Sequence, residues 1–454
     1  MAEKQNLLSL NIPDTKKPRI VIIGGGFGGI NLFKHLNSND FQIVLIDRFN
    51  YHTFQPLLYQ VATAGLEPDS VAGPLRKIVE RKRLVYFRMV KAESVNPATS
   101  IVQTSAGPLA FDFLVIATGA QINFFNNKSI AEHAFPLKQI THALDLRSQI
   151  FQQFEKLEIL NENESKEAYL NYVVVGAGPT GVEVCGALAE LKNKILPKDY
   201  PEVNVAGMKI YLVEGLDRVL PAMSPDAGKI SQRYLEDMGV NVILNSLIKE
   251  YDGETARLSD DTEIKTGTLI WAAGVKGNFV RGLNPASIIK SKILVNDMNQ
   301  VYKDGEKKQA YKNIFAIGDV ALMENEKNPK GLPGLAQVAI QQGIHLAGNL
   351  KHLSRGENTV PFKYKNKGVL ATIGRNKAVA DLPGNLKFHG IIGWAIWMLV
   401  HLFSLIGFRN KAVVFANWMW NYFTYDRGIR LIIRPSSKGH DSMSREMIEE
   451  MEDA

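Results

Sequence analysis

The sequence predicts an α/β chain with two parallel, doubly wound sheets and a C-terminal segment of a different kind, on three observations. Short β-rich runs at 20–23, 43–46, 114–116, 172–175, 209–213 and 269–271 alternate with helical stretches or glycine turns. A glycine-rich strand-to-helix junction occurs twice. Arg19-Ile-Val-Ile-Ile-Gly24-Gly-Gly26-Phe-Gly-Gly29 returns 152 residues later as Asn171-Tyr-Val-Val-Val-Gly176-Ala-Gly178-Pro-Thr-Gly181. Finally, 384–423 is rich in Trp, Phe, Ile and Leu and nearly free of acids.

Composition narrows the classes. With 45% hydrophobic and 22% charged residues among 454, the chain is neither disordered nor a polytopic membrane protein. Its single cysteine, Cys185, cannot form an internal disulfide or a dithiol relay, and no metal cluster is expected. The net charge of +7 is unevenly placed. Residues 351–440 carry a local excess of +11, so the remainder is acidic. Residues 1–17 lack an apolar core and read as a flexible leader on a cytosolic-side protein.

In the first junction, Gly24 makes the tight turn and Gly26 lets backbone approach a pyrophosphate. Gly29 permits close helix–strand packing, and a helix is expected over Ile30–Leu36. The following strand ends in Asp47-Arg48, with Asp47 standing 23 residues after Gly24, placed to accept from a ribose hydroxyl. The second copy has Gly176, Gly178, Pro179, Thr180 and Gly181, with Glu214 ending its next strand. A carboxylate there repels a 2′-phosphate, and Arg218 is four residues on, so NADH is expected over NADPH. Thr118-Gly119 and Ala273-Gly274 each end a strand, and Gly318-Asp319 places a carboxylate directly after another.

In this order the elements resemble the flavoproteins with two dinucleotide-binding domains, whose fold is glutathione-reductase-like. One cysteine argues against disulfide reductases and sulfide:quinone oxidoreductases. Two blocks are more specific. The segment 51–65, with Gln55-Pro56, and Ala336-Gln337-Val-Ala339-Ile-Gln341-Gln342-Gly343 resemble signatures of the type II NADH:quinone oxidoreductases. The resemblance covers 18–434. It implies FAD on Gly24, Gly26, Phe27, Gly28, Gly29, Asp47, Arg48, Gln55, Pro56, Thr118, Gly119, Asp319, Ala336 and Gln337. It implies NADH on Gly176, Gly178, Pro179, Thr180, Gly181, Glu183, Glu214, Ala273 and Gly274. It further implies Gln337 and Gln341, four apart on one helix face, beside a quinone, and Glu183 as the link to quinone protonation. The activity implied is transfer of two electrons from NADH through FAD to a membrane quinone, hydride first, without proton pumping.

The domain reading is 18–140 and 276–350 for FAD, 141–275 for NADH, 351–435 for membrane anchoring and dimerisation, and 436–454 as a disordered tail. A long polar helix at 144–167, with Phe151, Phe154 and Leu157 on one face, is expected to bridge domains. Residues 390–408 contain one ionisable side chain, His401, flanked by Lys387, Arg409 and Lys411. They read as an interfacial helix on anionic lipid, a spanning helix or a hydrophobic dimer interface. The family often carries a lysine here, and this chain offers Met398 and His401 instead. The expected setting is peripheral, on the cytoplasmic face of a bacterial inner membrane, as a homodimer without nucleic acid. Two alternatives stay open: a soluble reductase of a ferredoxin-like partner, and a binding flavoprotein of the apoptosis-inducing-factor type.

Overall fold

Arg19–Ile23 and Asn171–Val175 are buried along their whole length, the pattern of strands covered on both faces of a parallel sheet. Each is the centre of one sheet. The computed structural model describes residues 10–79, 83–161 and 163–433. It divides the chain into two units. One comprises Met1–His52, Gly73–Gln121 and Val275–Asn366, the other Thr53–Ala72, Ile122–Gly274 and Lys367–Ala454.

In the first unit, Val85–Met89, Gln42–Asp47, Arg19–Ile23, Phe113–Ile116 and Ala310–Ala316 lie side by side, all parallel. Antiparallel strands extend this sheet beyond Ala310–Ala316. The helices Phe27–His35 and Ala336–Ser354 pack closely, because a Cβ at Gly343 would stand 2.5 Å from the Gly28 carbonyl oxygen.

In the second unit, Phe135–Pro136, Thr268–Trp271, Asn171–Val175, Lys209–Val213 and Val240–Ile243 form the other parallel sheet. Val369–Gly374, Lys377–Leu382 and Leu386–His389 make an antiparallel sheet in the same unit. The helix Pro179–Glu190 runs tight against it, since a Cβ at Gly186 would meet the Ile373 carbonyl at 1.8 Å.

Four sequence expectations change. The leader is not free at 10–17: Ile12 is 1% exposed in the first core, Asp14 pairs with Arg19, and Gln42 donates to the Pro13 carbonyl. Burying one isoleucine is worth about 2 kcal/mol, enough to fix a short segment. The polar helix is Ile140–Ile159 and lies wholly in the second unit, so it does not bridge; Phe151, Phe154 and Leu157 are buried as expected. The FAD stretch 18–140 is not continuous, because 53–72 and 122–140 belong to the second unit. Residues 390–408 are two elements, helix Gly390–Ser404 and the start of helix Phe408–Thr424, broken where Gly407 takes φ +86°. No helix among the described residues is long and apolar enough to cross a membrane. Residues 1–9, Arg434 and the tail at 436–454 lie outside the described residues.

Candidate functional site

The two glycine junctions fold alike, which is a physical statement about what each glycine does. Gly24 and Gly176 take φ +107° and +97°, a region closed to most side chains. Their N–H groups donate to Ile46 and Val213 carbonyls, each at 2.8 Å. A Cβ at Gly29 would stand 1.9 Å from the Gly24 oxygen, and one at Gly181 would stand 1.8 Å from the Gly176 oxygen. Gly26 and Gly178 differ: a Cβ there meets nothing within 4 Å. Their lack of a side chain therefore serves no packing inside the chain and leaves open the space a pyrophosphate would fill at a helix N-terminus. Pro179 and Thr180 begin the second of these helices, both exposed.

The carboxylates at the next strand ends repeat too. Asp47 accepts from Gly25 N–H at 2.6 Å and Phe49 N–H at 2.8 Å. Glu214 accepts from Ala177 N–H at 2.6 Å and Leu216 N–H at 3.0 Å. Each thus tethers its glycine loop while keeping lone pairs for a ribose hydroxyl. Burial raises the Asp47 carboxyl pKa, and the backbone N–H donors partly offset this. Arg48 is exposed, its guanidinium 5.0 Å over the Phe49 ring. Gly119 and Gly274 take φ +72° and +73°, and Thr118 Oγ1 donates to the Asn278 carbonyl. Gln55 and Pro56 form a short turn in the second unit, with Gln55 exposed.

Two residues of the first unit stand inside the signature blocks with roles that the motifs do not reveal. His52 is buried, its Nδ1 2.9 Å from the Gly25 carbonyl, so that nitrogen carries the proton. Burial lowers its pKa to about 4 and keeps it neutral, a fixed donor beneath the glycine loop. Gln342, 1% exposed, accepts from Gly318 N–H at 2.7 Å and so sets the turn that presents Asp319. It stands in the block that was read for its neighbours Gln337 and Gln341. Gln341 itself spends both ends of its amide on Lys365, donating to its carbonyl at 2.9 Å and accepting from its N–H at 3.0 Å. Gln337 and Ala336 lie in the first turn of helix Ala336–Ser354, both half-buried.

The second unit holds a cavity of about 120 Å³, close to the size that accepts a six-membered ring. Its wall includes Tyr59, Glu183, Trp394, Trp397, Met398 and Trp418. Glu183 is 7% exposed on helix Pro179–Glu190. Burial pushes its carboxyl up to about 8, offset in part by the Thr372 N–H at 3.5 Å and the Trp397 indole. The Trp397 Nε1–H lies beside the carboxyl yet completes no hydrogen bond of good geometry. Glu183 is therefore a neutral acid at pH 7 with a proton to give. His401 does not stand in for a lysine: it stacks on Trp397 at 4.2 Å, bonds the Trp397 carbonyl, and burial lowers its pKa to about 4. Cys185 is fully buried, as a packing residue would be.

The sequence leaves the aromatic C-terminal segment open as an interfacial helix on lipid, a spanning helix or a dimer interface. The structure turns Trp394, Trp397 and Trp418 into the cavity wall, and leaves Trp420 outward with Phe403 and Phe408, which are 71% and 86% exposed. The alternation along each helix could have signalled this only with the strand partners known.

Comparisons agree with this geometry. Residues 18–343 match the family model for pyridine nucleotide-disulphide oxidoreductases, and residues 366–425 match the NDH2 C-terminal domain. The type II NADH:quinone oxidoreductase NdhA of Mycobacterium tuberculosis is 34% identical over 90% of this chain and 88% of its own length. The Ndh protein of the same organism, described in the same words, is 34% identical over 91% of this chain and 90% of its own. NDH2 from Plasmodium falciparum, solved in complex with NADH, shares the fold with a TM-score of 0.83 at 22% identity, over 92% of this chain and 100% of that one. The chain belongs to the type II NADH:quinone oxidoreductases.

Proposed function

We propose that the Glu183 cavity takes the quinone ring of this NADH:quinone oxidoreductase, and that Glu183 is the proton donor there. The carrying observation is a buried, neutral carboxylic acid in the wall of a ring-sized aromatic cavity. The enzyme uses FAD and NADH. FAD, when bound, would supply the two-electron chemistry between NADH and quinone; binding, orientation and proton supply fall to the chain. The residues that would hold FAD are Gly24, Gly26, Phe27, Gly28, Gly29, Asp47, Arg48, Thr118, Gly119, Asp319 and Ala336, with Gln55 and Pro56. Those that would hold NADH are Gly176, Gly178, Pro179, Thr180, Gly181, Glu214, Ala273 and Gly274. Glu183 moves from the NADH set to the quinone cavity in this reading. The open Cβ positions at Gly26 and Gly178 are the observation that supports both cradles.

Gln337 and Gln341 keep their assignment to the quinone side as part of the proposal, with Gln341 acting by holding the 365 backbone. The test is stopped-flow absorbance at the flavin band on detergent-solubilised holoenzyme, mixed with NADH and then with a short-chain quinone. Gln337→Ala is expected to slow the quinone-driven recovery at least about tenfold more than the bleaching by NADH. Equal loss in both phases would remove Gln337 from the quinone side.

Glu214→Gln is expected to keep an acceptor for Ala177 N–H while deleting the charge. The ratio of kcat/KM for NADH over NADPH should fall by about tenfold, since one lost charge repulsion of about 1.4 kcal/mol is that factor. An unchanged ratio would mean that Glu214 does not face the 2′ position.

The lipid surface and the homodimer belong to the same proposal. Ile391, Ile392, Leu399, Phe403, Phe408 and Phe423 are all exposed on the two C-terminal helices, with Arg409 and Lys411 beside them. That face suits anionic lipid, on the cytoplasmic side of a bacterial inner membrane. Binding to vesicles with anionic lipid, and its loss in Phe403→Glu, tests it.

A further inference from the structure

The cavity wall contains a short chain of hydrogen bonds whose direction can be deduced without seeing a hydrogen. Trp418 Nε1 lies 2.8 Å from Gln60 Oε1, and Gln60 Nε2 lies 2.8 Å from the Tyr59 hydroxyl. An indole N–H can only donate. The Gln60 oxygen must therefore face Trp418, and its amide nitrogen must donate to Tyr59. The Tyr59 oxygen is then an acceptor in this bond, and its own O–H hydrogen is left over. No group of the described residues takes that hydrogen, and Tyr59 is buried in helix Leu58–Ala62 with its side chain in the cavity wall.

A buried donor without an acceptor calls for a ligand that supplies one. A quinone fits, because its two carbonyl oxygens accept hydrogen bonds and donate none. We propose that the Tyr59 hydroxyl donates to a carbonyl oxygen of the bound quinone, and that Gln60 and Trp418 are positioning residues that hold it in the donor orientation. The inference rests on the reading of this cavity as the quinone site. It adds a recognition element: Tyr59 binds the ring oxygen, while Glu183 is the group with a proton to deliver. Burial raises the Tyr59 pKa well above its ordinary value, so the phenol keeps its hydrogen across the working pH range.

The direction of the relay gives a sharp test. In Gln60→Glu the introduced carboxylate accepts from both neighbours, so Tyr59 turns its O–H away from the cavity while remaining in place. Binding of a short-chain benzoquinone to the FAD-loaded enzyme is read by quenching of tryptophan fluorescence, with bleaching by NADH as the check that each variant is folded and loaded. Tyr59→Phe and Gln60→Glu are each expected to weaken binding about five- to tenfold, the loss of one hydrogen bond to a ligand. The double variant should be no worse than either single one. Additive losses, or no loss in Gln60→Glu, would overturn the relay. Met398→Trp, which fills the cavity, separates the two readings. If it weakens binding and Tyr59→Phe does not, the donor assignment fails and the quinone site stands. If none of the three changes binding, the quinone site falls, and this proposal with it.

Discussion

Gly29→Ala is expected to give a chain that retains no FAD and melts about 10 °C lower, whereas Gly26→Ala should melt normally and still bind FAD poorly. The contrast follows from what each added methyl group meets. At Gly29 it would stand 1.9 Å from the Gly24 carbonyl oxygen, which is backbone and cannot rotate aside. Gly24 cannot yield easily either, since its φ of +107° and its hydrogen bond to Ile46 hold the turn. Overpacking against fixed backbone costs about 3 kcal/mol, and each kcal/mol is worth roughly 2–4 °C in a unit of this size. At Gly26 the methyl group meets nothing within 4 Å, so the fold should not register it. Only a ligand backbone-close to that position would. Circular dichroism melting of the apoprotein and flavin content after purification read the two effects separately. Normal FAD content in Gly26→Ala would mean that the open space at that glycine is not where the pyrophosphate lies.

Glu183→Gln is expected to slow quinone reduction about 100-fold, within the range for loss of a general acid, while NADH still bleaches the flavin. Its pH signature is as diagnostic as its size. The folded carboxyl titrates near 8 and the unfolded one near 4.5, so the folded state holds the proton more tightly between those values. The folded chain consequently loses stability as pH rises through that window, and has lost the whole contribution above 8. Glutamine has no proton to lose. The Tm difference between variant and native enzyme should therefore shift in favour of the variant from pH 5 to pH 8. The native quinone-reduction rate should also fall as pH passes 8, and the variant's rate should not. A native profile that stays flat through pH 9 would rule out Glu183 as the acid.

How much of this was legible beforehand differs sharply between the glycine junctions and the cavity. The glycine junctions were readable because their requirements are local: a positive φ at Gly24 and Gly176, a close helix–strand approach at Gly29 and Gly181, and an acid at the next strand end. Each of these is a property of a few consecutive residues and one neighbouring strand. The strand positions at 20–23 and 172–175 were readable for the same reason, as β-branched runs buried on both faces. Boundaries were less so. Ile12 lies outside any periodic run, and only the core of the first unit gives it a place.

The cavity was not legible, and the reason is distance along the chain. Its wall joins Tyr59 and Gln60 to Glu183, to Thr372 and Arg375, and to helices that extend to Tyr422. An apolar tryptophan beside basic residues looks the same in sequence whether it enters lipid or lines a pocket. The direction each face takes is set by the strands it packs on, as where Gly393 lets helix Gly390–Ser404 approach the Ala378 carbonyl of the neighbouring strand. The two glycine junctions and the acids that tether them are legible in the chain alone, because backbone geometry at a glycine turn is written in adjacent residues. The tertiary structure alone decided that Glu183 is a buried neutral acid, that three tryptophans face inward, and that Tyr59 has a hydrogen to offer, because burial and hydrogen-bond direction arise only when distant segments pack together.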